Sequence, residues 1–212
     1  MDVEIWSDIV CPWCYIGKRR FEKALAAFPH RDAVTVRYRA FQLDPSAERE
    51  VRGSRTESLR RKYGMSEEQV ATMDERMERL AAEEGLSWNL AATALGNTED
   101  AHRLVHMARE HGKDGEMLDR LYAAYFSEGQ SIFDEDALAA LGADAGLDAS
   151  AVRAMLRSGA FRDTVAAERR TAAELGASGV PFFVVAGRYG VSGAQPPEVF
   201  TDALEKGWEA SR

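Results

Sequence analysis

Cysteine is scarce in this chain: its 212 residues include only two, Cys11 and Cys14. A dense disulfide framework is therefore excluded, and a close pair in a reducing compartment is more often catalytic or metal-binding than structural. The chain also lacks an uncharged apolar run of about 18 residues, which a membrane span needs. The opening residues Met1-Asp2-Val3-Glu4 are acidic where a signal peptide carries positive charge. We therefore expect a cytoplasmic protein with no membrane partner.

An excess of positive charge is absent as well. The formal net charge is -8, and Lys and Arg are mixed with Asp and Glu rather than gathered into a long basic run. Such a chain repels phosphate backbones, so we expect no nucleic-acid partner. The hydrophobic share of 45% and the charged share of 29% are those of an ordinary globular protein. Composition alone allows one large domain or two modest ones.

Strand patterns occur near the amino-terminal end, around the two cysteines. Val3 to Trp6 alternates apolar and polar residues, which predicts a strand just ahead of the pair. A helical pattern follows from Trp13 to about Pro29, with charged residues including Lys18 on the face expected to meet water. Ala33 to Phe41 then predicts a second strand. Two strands joined through such a helix are normally parallel neighbours.

Strand patterns return only near the other end. Phe182 to Val185 predicts a buried strand, and Ala186-Gly187 can turn it into a hairpin with Tyr189 to Val191. An amphipathic helix is predicted over residues 197–208. The two ends therefore predict one discontinuous α/β domain, made of residues 1–44 and 177–212.

Helical patterns fill residues 45–176, which we interpret as an inserted all-helical domain. Ser66 and Gln69 predict a capping box at the start of one helix. Further apolar stripes indicate core-facing helices. The last of these stripes consists of Phe161, Val165, Ala172 and Leu175.

The segment Cys11-Pro12-Trp13-Cys14 places two thiols three positions apart at the start of a predicted helix. This spacing permits an internal disulfide. Unpaired N–H groups and the helix dipole favour a thiolate on the first cysteine, so Cys11 is the predicted nucleophile. Pro12 is tolerated in a first helical turn, because the N–H that proline lacks is not needed there. Cys14 is the predicted resolving thiol and Trp13 the second residue of the active-site loop.

Two other interpretations of the cysteines stay open on spacing alone. A Cys-x-x-Cys segment can be half of a structural zinc site, which His102 and His106 would have to complete. Those two histidines share a predicted helix, but such pairs are common on solvated faces, and we expect no metal. The cysteines could also be inert core residues.

Three segments together carry a family resemblance: residues 7–18 around the cysteines, Gly179-Val180-Pro181-Phe182-Phe183, and Ser192-Gly193-Ala194-Gln195-Pro196. In combination the sequence resembles the FrnE-like branch of the DsbA family over nearly its whole length. The resemblance implies a thioredoxin-like α/β fold with a large inserted all-helical domain. It also implies a cis bond between Val180 and Pro181, facing the cysteines, where these two residues would bind substrate.

The resemblance implies a thiol–disulfide oxidoreductase that forms a mixed disulfide and needs no cofactor. Its substrate would be a disulfide- or thiol-containing protein or small molecule, with glutathione among the candidates. The best-known members of the family carry His where this chain has Trp13, which cannot supply positive charge to a thiolate. A strongly oxidising role is therefore not expected.

Two other functions are kept as alternatives. The sequence is also similar to the group of 2-hydroxychromene-2-carboxylate isomerases and kappa-class glutathione transferases, in which a Ser commonly replaces the nucleophilic cysteine. Cys11 and Cys14 favour redox chemistry over that glutathione-dependent function. A binding module built on the helical insertion is the weakest of the three interpretations.

Overall fold

The computed structural model describes residues 1–49 and 54–212, and four strands and a larger set of helices make up these ranges. The predicted α/β class is confirmed. The strands are β1 (Asp2–Ser7), β2 (Thr35–Ala40), β3 (Phe182–Val185) and β4 (Tyr189–Ser192). The helices are α1 (Pro12–Ala27), α2 (Arg55–Tyr63), α3 (Glu67–Glu83), α4 (Glu99–Arg109), α5 (Asp114–Tyr122), α6 (Glu135–Asp144), α7 (Ala149–Ser158), α8 (Arg162–Glu174) and α9 (Pro197–Ala210).

The strands form one mixed sheet in the order β2-β1-β3-β4. β1 pairs in parallel with β2, with Ile5 opposite Tyr38, as expected for strands joined through α1. On its other side β1 pairs antiparallel with β3, with Ile5 opposite Phe183. β3 and β4 form the predicted hairpin. Three residues, 186–188, connect the two strands. Ala186 and Gly187 both have positive φ, and the Arg188 N–H donates to the Val185 carbonyl at 3.1 Å, which closes the turn.

The chain divides into two compact units, residues 1–43 with 163–212 and residues 44–162. The first unit contains the sheet, α1, α8 and α9, and the second contains α2 to α7. The inserted domain predicted over residues 45–176 differs from this division by including α8. Helix α8 belongs instead to the unit that holds the sheet.

Both faces of the sheet are covered within the first unit, which explains why all four residues of β3 are buried. On one face Phe183 contacts Phe21 of α1 and Phe200 of α9, with ring centroids 5.6 and 4.6 Å apart. On the other face Phe182 packs with Trp6 and with Ala172 of α8. The apolar run of β3 is therefore a strand between two layers of helices.

A carboxylate fastens α8 to the edge strand of the sheet. Glu168 is buried, and its two oxygens accept hydrogen bonds from the Ala40 N–H at 2.6 Å and from Arg39 at 2.8 Å. Its main-chain carbonyl accepts a bond of 2.9 Å from the Trp6 indole. Arg39 also pairs with Glu4 of β1 at 2.6 Å. These bonds align β1, β2 and α8 behind the cysteine-bearing loop.

The second unit consists of helices, and paired polar side chains mark where two of them begin. The predicted capping box of Ser66 and Gln69 begins α3, and Ser54 and Glu57 form another at α2. Arg103 of α4 has no exposed surface, and it donates hydrogen bonds to main-chain carbonyls of residues 155, 156 and 160. Its charge is matched by Asp100 at 2.6 Å. Among the described residues, no helix is long and apolar enough to span a membrane.

Candidate active site

The cysteine pair lies where β1 ends and α1 begins. Cys11 is the N-cap of α1, with extended backbone angles, and Pro12 occupies the first helical turn. The Cys11 N–H donates to the Asp8 carbonyl at 3.1 Å, and the Cys14 N–H donates to the Cys11 carbonyl at 3.0 Å. These bonds form a tight turn that brings the two thiols to one helix end. Positive charge from the helix dipole is concentrated at that end.

Cys11 is buried but lies against the main chain of a distant loop. Its exposed fraction is 4%, and its sulfur is 3.7 Å from the Val180 carbonyl oxygen, to which the thiol can donate. The peptide bond between Val180 and Pro181 is cis. The structure thus brings together Cys11 and the segment that sequence resemblance placed opposite it.

Cys14 is deeper, with only 1% of its surface exposed. Its sulfur accepts a hydrogen bond of 3.5 Å from the Asp8 N–H. Burial raises the pKa of Cys14 well above its ordinary value, and the neighbouring Cys11 thiol raises it further. Both cysteines are free thiols, so the structure represents the reduced pair. The two sulfurs therefore occupy unequal environments.

Asp8 is a component of the site whose role the sequence analysis did not identify. Its exposed fraction is 1%, and its carboxylate accepts a hydrogen bond of 2.8 Å from the Leu43 N–H. The negative charge of Asp8 is a further cause of the raised pKa of Cys14. An acidic residue three positions ahead of a cysteine pair was the available signal, but a turn residue of this type is usually exposed.

The segment around Pro181 is held by its neighbours in the same unit. The Pro181 carbonyl accepts a hydrogen bond of 2.8 Å from the Gly193 N–H. Val180 packs against the cluster that contains Trp6 and Phe182. Pro181 therefore lies at the start of β3 with its carbonyl already bonded, while the Val180 carbonyl points at Cys11.

Trp13 is more exposed, and Lys18 is more deeply buried, than is common for their residue types. Trp13, between the two cysteines, is 40% exposed. Lys18, expected to face water, is 2% exposed; it forms an ion pair with Glu22 and lies 5.5 Å from the centre of the Tyr38 ring. A nearby carboxylate and an aromatic face compensate the buried ammonium group. Within the Cys-Pro-Trp-Cys loop, Trp13 is the large apolar side chain that is exposed to solvent.

The histidines considered as zinc ligands lie in the other unit. His102 and His106 are 3% and 5% exposed, so they are not one of the pairs that are common on solvated helix faces. The His106 ring stacks on Phe161 at 5.9 Å. Within the described ranges, no group of three or more His, Cys, Asp or Glu residues is arranged to hold a metal ion.

Comparison with known proteins identifies the family. Residues 2–205 match the model of the DSBA-like thioredoxin domain. The chain belongs to the DSBA-like thioredoxin domain family. A Streptomyces coelicolor family relative, SCO1869, described as a probable DsbA oxidoreductase, is 51% identical, with a TM-score of 0.94 over 99% of this chain and 90% of that one. The uncharacterized protein YwbO of Bacillus subtilis (strain 168) is 29% identical over 95% of this chain and 94% of its own.

A more distant structure shares the fold of this DSBA-like chain. The cytosolic disulfide reductase DsbM from Pseudomonas aeruginosa, solved with GSH, has a TM-score of 0.69 at 20% identity. The alignment covers 99% of this chain and 100% of that one. The predicted DsbA-type thioredoxin fold is therefore confirmed, and the DSBA-like family is one of oxidoreductases and isomerases.

Proposed function

We propose that this protein is a thiol–disulfide oxidoreductase in which Cys11 attacks the substrate and Cys14 resolves the mixed disulfide. The observation that supports this assignment is the unequal environment of the two sulfurs. Cys11 caps a helix beside the Val180 carbonyl, 3.7 Å away. Cys14 is buried, and its raised pKa keeps it protonated near neutral pH. An attacking thiolate is favoured at a helix N-terminus, and a resolving thiol is best kept neutral until it is needed.

The proposed reaction needs no cofactor, because the cysteine pair itself supplies the two electrons that the substrate gains. The Cys11 thiolate attacks one sulfur of a substrate disulfide, forms a mixed disulfide and releases the other substrate sulfur as a thiolate. Cys14 then gives up its proton, attacks the Cys11 sulfur and releases the second substrate thiol. The substrate gains two electrons, and the cysteine pair becomes a disulfide. The reverse sequence oxidises a dithiol substrate.

We assign substrate binding to the Val180-Pro181 segment. Pro181 has no N–H, and its carbonyl is bonded to Gly193, so the Val180 main chain is the part of this segment that faces Cys11. An extended substrate lying along Val180 would bring its disulfide to Cys11. Pro12 and Trp13 form the other side of this approach, with the exposed Trp13 ring available for apolar contact.

The proposed substrates are disulfide- or thiol-containing proteins or small molecules, including glutathione, and the proposed location is the cytoplasm. The net charge of -8 supports the absence of a nucleic-acid partner. Three segments support placement in the FrnE-like branch: residues 7–18, which contain the Cys-Pro-Trp-Cys motif, residues 179–183 and residues 192–196. The thiols at positions 11 and 14 favour this function over the glutathione-dependent isomerase or transferase alternative.

Single-cysteine variants test the two roles separately. Cys11→Ser should abolish reduction of insulin disulfides, whereas Cys14→Ser should accumulate mixed disulfides because its attacking thiol remains. Trapping on non-reducing gels with mass spectrometry measures both outcomes. Equal trapping by the two variants, or trapping by Cys11→Ser alone, would contradict the assignment. An inactive parent that isomerises a glutathione adduct would instead support the alternative function.

A further inference from the structure

Helix α1 approaches the Pro181 segment at a glycine. Gly17 is buried, and a Cβ atom built on it would lie 2.9 Å from Cγ of Pro181 and 3.4 Å from Cα and Cβ of Ala194. The Cγ atom of Pro181 can move only by a change of ring pucker, and Ala194 is met partly through its backbone. A side chain at position 17 could therefore be accommodated only if α1 and the loop moved apart.

A hydrogen bond holds the same two elements together one turn further along α1. Arg20, at i+3 from Gly17, donates from its guanidinium to the Ala194 carbonyl at 2.8 Å. The adjacent Gly193 donates its N–H to the Pro181 carbonyl at 2.8 Å. Residues 193 and 194 therefore connect α1 with Pro181, the residue that follows Val180.

The same helix carries the attacking cysteine at its first turn. Because Cys11 is 3.7 Å from the Val180 carbonyl, any separation of α1 from the loop changes that distance directly. We propose that Gly17 and Arg20 are positioning residues that fix the gap between α1 and the Val180-Pro181 segment. They thereby set how the Cys11 thiol is presented to a disulfide. This inference rests on the proposed function for its activity readout.

A second glycine of the same unit provides a matched control. Gly207 of α9 is also buried in a helix, and a Cβ built on it would lie 2.6 Å from Val185 and 2.9 Å from Met1. Val185 is the last residue of β3, whereas Pro181 immediately precedes the strand. Gly17→Ala and Gly207→Ala therefore crowd opposite ends of one strand, and only the first crowds the cysteine site.

Two measurements on these variants separate positioning from simple packing. The first is insulin-disulfide reduction, at a temperature where circular dichroism shows every variant folded. The second is the plateau rate of Cys11 alkylation by iodoacetamide at alkaline pH, in a Cys14→Ser background. At that plateau the thiol is fully ionised, so the rate reports access to the sulfur rather than its protonation.

Gly17→Ala should slow insulin reduction by about tenfold, since misplacement by about 1 Å can cost on the order of 100-fold. The alkylation plateau should rise roughly threefold as the Val180 segment moves off the sulfur. Gly207→Ala should change both rates by less than about twofold while lowering thermal stability. Equal changes in the two variants, or unchanged rates in Gly17→Ala, would make Gly17 a packing residue only.

Arg20 variants keep the proposal testable if Gly17→Ala does not fold. Arg20→Met should change both rates in the same directions, and Arg20→Lys should recover part of the parent behaviour by restoring a donor. Parent rates in Arg20→Met would overturn the role of Arg20, and so would an Arg20→Lys variant whose rates are no closer to the parent than those of Arg20→Met. A parent that fails to reduce insulin contradicts the proposed function, and the alkylation rates then decide the positioning role alone.

Discussion

Alkaline pH should destabilise the reduced protein because Cys14 is held as a neutral thiol in the folded state. Burial, with the Cys11 thiol beside it, raises the pKa of Cys14 well above its ordinary value. In the unfolded chain the same thiol ionises with a pKa of about 8.5. Stability that comes with a raised pKa is fully present below the unfolded value and is lost as pH rises toward the folded one. The free energy of unfolding should therefore begin to fall above about pH 8.5.

The size of this loss in the free energy of unfolding follows from the Cys14 thiol proton, which the folded state retains and the unfolded chain releases. Each pH unit above the unfolded pKa costs about 1.4 kcal/mol, so the loss reaches about 2 kcal/mol near pH 10. Solvent screening does little to reduce this value, because Cys14 is only 1% exposed. The loss is a substantial part of the roughly 5–15 kcal/mol that stabilises a typical domain.

Urea unfolding of parent and Cys14→Ala, both kept reduced, measures this effect. Other groups that titrate at alkaline pH contribute equally to both proteins, so the difference between their free energies of unfolding isolates Cys14. That difference should be constant near neutral pH and shrink by about 2 kcal/mol by about pH 10. The disulfide-bonded parent, whose Cys14 cannot ionise, serves as a second control. A difference that stays constant throughout would refute the reasoning.

Three further changes have expected outcomes. Trp13→His should raise the reduction potential by about 30 mV when the imidazole ring is charged, since a cation stabilises the reduced thiolate form. Glutathione titration below and above about pH 6.5 should show the larger shift from the parent potential at the lower pH. Equal shifts at the two pH values would contradict this account. Glu168→Ala removes the acceptor of the Ala40 N–H and should lower the free energy of unfolding by about 3 kcal/mol. The control is Glu205→Ala, at an exposed position. A urea midpoint no lower than that of the control would show that the Glu168 carboxylate does not stabilise β2. Arg103→Met should cost about 3–5 kcal/mol because it removes the cationic partner of Asp100 and a donor to three main-chain carbonyls. A loss below about 1 kcal/mol in the same assay would exclude a structural role for this buried charge.

The four strands, the parallel pairing of β1 with β2 and the hairpin of β3 with β4 could be predicted from the sequence because their signals are local. The antiparallel pairing of β1 with β3 joins segments far apart in the chain, and it was not predicted. The apolar run over residues 182–185 and the Ala186-Gly187 turn lie within a few residues of each other, and together they specify the hairpin. The capping box of Ser66 and Gln69 likewise depends on two side chains three positions apart. The position of the cysteine pair at a helix start follows in the same way from Pro12 and the strand before it.

The burial of charged residues could not be predicted, because it depends on partners far along the chain. Lys18 is a typical surface residue by pattern, yet the Tyr38 ring covers it in the structure. Arg103 shares α4 with an apolar stripe, and its acceptors come from the end of α7 and the residues that follow it. Leu175 shows the opposite error: it continues an apolar stripe but is 46% exposed, because α8 ends at Glu174.

The site's chemistry was visible in the Cys-Pro-Trp-Cys segment, but its geometry was not. The contact between Cys11 and Val180 joins residues that are distant in sequence, and only resemblance to a family indicated it. The role of Asp8 could not be predicted for a different reason. An aspartate in a turn is normally solvated, and nothing nearby in sequence indicates that the Leu43 N–H will donate a hydrogen bond to it.

The large sequence distance between the two halves of the site has a consequence for synthesis on the ribosome. Cys11 and the Val180 carbonyl are separated by 169 positions, so the thiols leave the ribosome long before the loop that covers them. At about 5–20 residues per second, this interval is roughly 10–30 s. Throughout it the nascent chain carries two cysteines without the carbonyl or the β3 strand that later shield them. Both thiols of the nascent protein are therefore open to oxidants and to other thiols until β3 has been synthesised.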